Sequence, residues 1–178
     1  MNRRDFLKRC ASLAAFASTG FPRSFATPAG DQPHQMGKPL PDNPVDGGMV
    51  RIERTETEWK HLLTPQQFWV MRLRGTEPPF SSPLDHEWAK GTYDCAGCAL
   101  PLFSSATKFD SHTGWPSFYA PLLHAIATMP DHELPEPRTE VHCRRCGCHL
   151  GHVFNDGPPP TGLRYCINGV ALRFVGGK

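Results

Sequence analysis

The sequence predicts a mainly β protein of antiparallel strands, with short N-terminal helices and a structural four-cysteine zinc site. Three observations carry that reading. The 178 residues include 19 Pro and 16 Gly, which interrupt any long helical period and argue against a bundle or coiled coil. Beyond Gly91, short aromatic and β-branched segments alternate with Gly, Pro, Asp and Asn turns, without the interleaved helices that a parallel sheet needs. Finally, Cys95 and Cys98 share a two-residue spacer, as do Cys143 and Cys146.

Taken in order, residues 1–26 have the layout of an export signal, with adjacent Arg3 and Arg4, an apolar run over 10–21, and small residues at Ser24 and Ala26. The paired arginines are of the twin-arginine type, so a periplasmic or otherwise exported location is expected. The apolar run is shorter than the ~20 residues of a membrane helix, and no stable membrane span is expected after signal removal. Residues 27–50 are rich in Pro, Gly and Asp and read as a flexible linker. The folded domain is assigned to 51–178.

Within that domain, Thr55 with Glu58 forms a capping-box pattern ahead of Trp59, Leu62 and Leu63 at helical spacing. Thr64-Pro65-Gln66-Gln67 repeats the signal, with Pro65 at a first position that needs no N–H. Phe68, Met71 and Trp69 are expected to supply a buried stripe, and Gly75 to stop the helix. Strands are predicted over 92–95, 115–118, 139–143, 149–154, 164–168 and 171–175.

Charge sets a boundary on function. The formal charge of the whole chain is +2, with Lys+Arg 19 against Asp+Glu 17. Five of the basic residues lie in the export signal, which leaves the domain slightly acidic, without a basic stripe, and argues against nucleic acid as a partner.

Two cysteine knuckles supply the four thiolates that tetrahedral zinc prefers, and a site filled by protein sulfur has no open position for catalysis. Disulfides are the alternative in an exported protein, and an iron centre is another. The twin-arginine route carries folded cargo, so a metal loaded in the reducing cytoplasm favours zinc. Four of the domain's thiols are thereby assigned, leaving Cys148 and Cys166. Cys166 sits between Arg164, which stabilises negative charge, and Asn168, a hydrogen-bond donor. Alternatively it is a packing cysteine. His149 and His152 are acid–base candidates, and Trp115 a candidate pocket floor.

Read together, the strings CAGC, PLF, KFDSHTGWPSF, EVHCRRC, HLGHVFNDGPPPTG and RYCING, in that order, resemble the methionine-R-sulfoxide reductases of the B type, over residues 59–174. The resemblance implies two antiparallel sheets, often called a β-tent. It also implies thiol-dependent repair of oxidised methionine in proteins and peptides, with a thioredoxin-like dithiol as reductant. By the same resemblance Cys166 is the nucleophile and Trp115 the wall for the sulfoxide methyl. His149 and His152 bind and protonate the oxygen, and Arg164 and Asn168 support the site. Many such enzymes carry a resolving cysteine where this chain has Thr113, and His112 stands where they often have Gly. Cys148 is then the candidate resolving thiol, the alternative being an inert packing residue. A non-enzymatic zinc-bearing binding module on the same scaffold is the rival reading, distinguished by whether Cys166 is needed.

Overall fold

The computed structural model describes residues 49–177, so the readings of residues 1–26 and 27–48 lie outside the described residues. Two capped helices open the described chain. Thr55 caps α1 (Glu56–Leu62) and Thr64 caps α2 (Pro65–Leu73), each with a complete capping box, as the S/T-x-x-E/Q pattern dictates. Trp59 and Leu63 of the first segment and Phe68, Val70 and Met71 of the second are buried. One expectation fails here. Trp69 is 46% exposed, and Val70 takes the place foreseen for it. The Trp69 ring instead lies against the chain leaving α2. A Cβ on Gly75 would stand 2.4 Å from Trp69 Cε2, so glycine is required there, although the left-handed cap itself is Arg74.

Nine strands follow among the described residues: β1 (Gly91–Cys95), β2 (Pro101–Ser104), β3 (Lys108–Phe109), β4 (Ser117–Phe118), β5 (Ile126–Asp131), β6 (Arg138–Cys143), β7 (His149–Phe154), β8 (Arg164–Ile167) and β9 (Leu172–Gly176). All pairings are antiparallel, in a three-stranded sheet ordered β2-β1-β9 and a six-stranded sheet ordered β3-β4-β8-β7-β6-β5. The protein is therefore mainly β with two antiparallel sheets, as expected. The predicted strands at 115–118 and 164–168 are trimmed at Pro116 and Asn168, and the one at 171–175 moves one residue on. Sequence reasoning missed β2, β3 and β5. Two of these carry proline, at Pro101 and Pro130, and both lie at sheet edges, where a missing N–H costs no ladder bond.

The sheets meet through aromatic side chains. Phe103 of β2 stacks on Phe118 of β4 at 4.4 Å, Tyr93 of β1 meets the edge of Phe118 at 4.9 Å, and Phe103 also reaches Tyr165 of β8. Phe118 and Tyr165 are partners in register, so they share the core face of the large sheet. Alternation then turns the flanking residues Ser117 and Cys166 to the opposite face. Among the described residues no helix is long and apolar enough to cross a membrane.

Candidate active site and metal centre

The two knuckles converge at the junction of the sheets. Cys95 ends β1 and Cys98 lies in the turn to β2, while Cys143 ends β6 and Cys146 lies in the turn to β7. Backbone bonds shape both turns alike: Ala99 N–H donates to Cys95 O at 2.8 Å and Gly147 N–H to Cys143 O at 2.9 Å. The four sulfurs lie within 4.8 Å of one another, with Cys95–Cys146 at 3.7 Å and Cys98–Cys143 at 3.6 Å. A tetrahedron of thiolates at ~2.3 Å from an ion has edges of about 3.8 Å, so donor set and spacing both fit a metal. No two of them are joined as a disulfide. Arg145 donates to Cys98 O at 3.2 Å and Arg72 to Cys146 O at 3.4 Å, placing positive charge beside the sulfurs.

Cys148 is fully buried on this side of the molecule, with Arg72 donating to its sulfur at 3.7 Å. The next residue, His149, belongs to the other face, and a bulge explains how. Glu140 pairs with His152 and Val141 with Gly151, but His142 pairs with His149, so Leu150 is an extra residue in β7. In a regular strand His149 and His152, three apart, would face opposite ways. The bulge brings their rings to 5.5 Å on one face and sends Leu150 into the core. Its Leu150 carbonyl is held by both the backbone N–H (2.8 Å) and the side-chain amide (3.0 Å) of Asn168. Gly151 is obligatory here because a Cβ would stand 2.0 Å from Cys166 O on β8.

Register places Ser117, Cys166, His152 and Glu140 side by side across β4, β8, β7 and β6. Cys166 is partly exposed, with Thr113 Oγ1 4.0 Å from its sulfur. Ser111 links Thr113 at 2.8 Å to Ser117 at 2.7 Å, a chain of hydroxyls beside the thiol. Burial pushes the Cys166 thiol up, and the nearby Arg164 charge and the Thr113 hydroxyl only partly oppose it. The Arg164 charge that the sequence sets beside this thiol is therefore outweighed by burial in the resting site. Arg164 is held over the Phe154 ring at 4.4 Å and makes a two-point pair with Asp156 at 2.9 and 2.8 Å.

Each imidazole has its own carboxylate. His149 Nδ1 lies 2.7 Å from Glu140 Oε1, and His152 Nε2 lies 2.8 Å from Asp131 Oδ2. Arg74 pairs with Glu140, and Arg138 with Asp131 at 2.7 Å. Burial acts to raise the Asp131 carboxyl, but the Glu133 N–H, His152 and Arg138 outweigh it and hold it at about 2. Glu140 is likewise held below the usual carboxylate range by His149 and Arg74 against its burial. Burial lowers His152 despite Asp131, so that ring is neutral at neutral pH.

Trp115 is half-buried, and its indole N–H donates to Glu77 O at 3.1 Å. Glu77 N–H donates to Asn168 Oδ1 at 2.9 Å, and its carboxylate accepts from Gly169 and Val170 N–H. One residue thus ties the aromatic wall to the Asn168 clamp. Sequence reasoning missed Glu77, Asp131, Glu140, Arg74 and Arg138. The only available signal was their charge, because the contacts span loops and four strands.

A nucleophilic sulfur set among carboxylate-paired imidazoles, on a sheet joined to its neighbour by a thiolate centre, equips a thiol-dependent oxidoreductase. Comparison with known proteins makes that class specific. Residues 63–176 match the family described as the SelR domain. The chain is 55% identical over 127 residues to the peptide methionine sulfoxide reductase MsrB of Pseudomonas putida, covering 71% of this chain and 96% of that protein. It is 54% identical over 126 residues to the protein of the same name from Methanosarcina mazei, covering 70% and 90% respectively. The chain belongs to the SelR family.

Proposed function

We propose that this protein reduces methionine-R-sulfoxide in peptides and proteins to methionine, with Cys166 as the nucleophile. The carrying observation is the register that sets Cys166 directly against His152 and, one strand further, Glu140 with its bonded His149. A sulfoxide sulfur becomes electrophilic as its oxygen gains a proton, so the reaction needs an acid and a sulfur nucleophile on one surface.

The resting thiol is neutral, so its proton must leave as the bond forms. Neutral His152, opposite Cys166, receives that proton while His149 gives one to the sulfoxide oxygen. The Cys166 sulfur bonds to the substrate sulfur, the oxygen passes to Cys166, and methionine leaves. The cysteine sulfur is oxidised by two electrons to sulfenic acid, and the methionine sulfur is reduced by two. A thioredoxin-like dithiol then restores the thiol, giving its own disulfide and water. Trp115 forms the apolar wall for the S-methyl group, Arg164 supports charge at the thiol, and Asn168 holds the bulge that aims the imidazoles. Cys148 is proposed as resolving thiol only if the chain around it opens, since it is buried beside the metal ligands.

The metal of the four-cysteine centre is proposed to be zinc, held by Cys95, Cys98, Cys143 and Cys146. When bound it supplies folding energy by joining the two sheets, with no open position for substrate. Export to the periplasm is proposed from residues 1–26, and fractionation of cells expressing the full chain tests it.

The decisive assay offers separate R and S sulfoxide epimers of one peptide with a dithiol reductant. Wild type converts the R epimer, and Cys166→Ser stays folded and metal-loaded without turnover. Equal binding and no turnover by both proteins would instead support a binding module.

A further inference from the structure

We propose that Glu140 is a positioning residue whose two oxygens decide which nitrogen His149 turns toward the substrate. The proposal rests on the reductase reading above. Glu140 and His149 side chains are 5% and 3% exposed, so neither has water to substitute for a lost partner. Oε1 lies 2.7 Å from His149 Nδ1, and Oε2 is taken by Arg74. Both acceptors of the carboxylate are therefore committed to donors.

An ionised carboxylate only accepts, so Nδ1 must carry hydrogen. The other ring atom, Nε2, is buried and has no hydrogen-bond partner among the described residues. The His149 ring lines a small polar pocket with Arg74, Thr76, Asp131, Arg138, Glu140 and His152. Orphaned buried ring nitrogens are costly, and one in an enzyme site is readily explained by a ligand atom it bonds. The sulfoxide oxygen is that atom once the ring is doubly protonated: Nε2–H then donates to it and delivers the proton. His152 is built the other way round, since Asp131 takes its Nε2 and leaves Nδ1 as the remaining ring nitrogen. The two imidazoles thus present different nitrogens, which suits one to give a proton while the other receives one.

The charged and titratable groups that face this ring from each packed element are Arg74 at the end of α2, Asp131 of β5, Glu133 after it, Arg138, Glu140 and His142 of β6, and His152 of β7. Among the described residues, Glu140 is the one whose side chain is hydrogen-bonded to it.

Glu140→Gln isolates the effect. Gln has one acceptor oxygen where Glu has two, yet Arg74 and His149 both donate. The permanently charged Arg74 takes the oxygen, and the amide NH2 then faces Nδ1. The ring proton moves to Nε2, and the doubly protonated acid is disfavoured. The sulfoxide oxygen can still accept a hydrogen bond from Nε2–H, so binding persists while proton delivery fails. We expect kcat to fall on the order of 10²-fold, the usual worth of a positioned general acid, with KM changed by less than about threefold.

The test pairs that kinetic split with long-range proton–nitrogen NMR of the histidine rings in the full zinc-loaded chain. Wild-type His149 should show hydrogen on Nδ1 in its neutral form, and Glu140→Gln should show it on Nε2. Hydrogen on Nε2 in the wild type overturns the proposal without need of the variant, should that variant fold poorly. An unchanged tautomer or an unchanged kcat in Glu140→Gln overturns it too. Wild-type turnover of the R epimer alongside either result sinks this proposal alone, whereas no wild-type turnover sinks the reductase reading.

Discussion

Glu77 offers a test of how the pocket wall is held. Its carboxylate is the acceptor for two backbone donors, Gly169 N–H and Val170 N–H, and the residue is 1% exposed. Glu77→Ala leaves both N–H groups without a partner. Each buried unsatisfied group costs about 1–3 kcal/mol, and removal of the side chain leaves a void besides. Glu77→Gln keeps one acceptor and sets an amide NH2 against the other donor, so its cost is one such penalty, reduced because an uncharged group no longer bears the burial that raises this carboxyl. The order of stability should be wild type, then Gln, then Ala, with the last about 3–6 kcal/mol below wild type. Urea unfolding of metal-loaded protein measures it, and an unchanged slope shows that the denatured state is the same. Because the same residue accepts from Trp115 Nε1 and donates to Asn168, both variants should also raise KM for the R sulfoxide. An alanine variant within about 0.5 kcal/mol of wild type would show that water or rearranged backbone satisfies those N–H groups and that Glu77 is no anchor.

Three other outcomes are expected. Zinc-loaded protein should contain one ion per chain, and chelation under reducing conditions should lower the melting temperature by more than about 10 °C, because binding energy is folding energy at such centres. Asp131 is held at about 2, below its unfolded value near 4, so its ionised form stabilises the fold above pH 4, and that contribution is lost as pH falls through 2. Asp131→Asn should therefore be about 2 kcal/mol less stable than wild type at neutral pH, with the gap closing in urea titrations carried down to pH 2. Thr113→Cys should place a thiol beside Cys166, given the present 4.0 Å contact, so that peptide mapping after one turnover without reductant finds the two joined as a disulfide.

The parts of this molecule that repeat a local rule were legible in the chain. Thr55 and Thr64 announced both helices because a cap needs only four consecutive residues, and the cysteine knuckles announced the four-cysteine cluster because two-residue spacing is itself the geometry. Trp69 was misplaced because helical spacing does not say which way a large ring turns when Gly75 offers it a berth. Strand β3 has only two residues, too short for any alternation to register. The carboxylates were illegible for another reason. Asp131 reaches His152 across two strand pairings, and Glu140 meets Arg74 from a helix end, so their meaning depends on register. The Cys166 thiol was read by counting charged neighbours, whereas the depth of its surroundings decides its state.

Leu150 has no chemistry of its own, yet the spelling of the histidine motif makes sense only because of it. It acts as a frameshift in the strand: upstream letters are read on one parity and downstream letters on the other. A relative that kept both histidines and their spacing but paired Leu150 in a regular ladder would look intact in an alignment while presenting its imidazoles back to back. Engineering of this hairpin should accordingly preserve the count of residues between Cys148 and Cys166 before it preserves their identities.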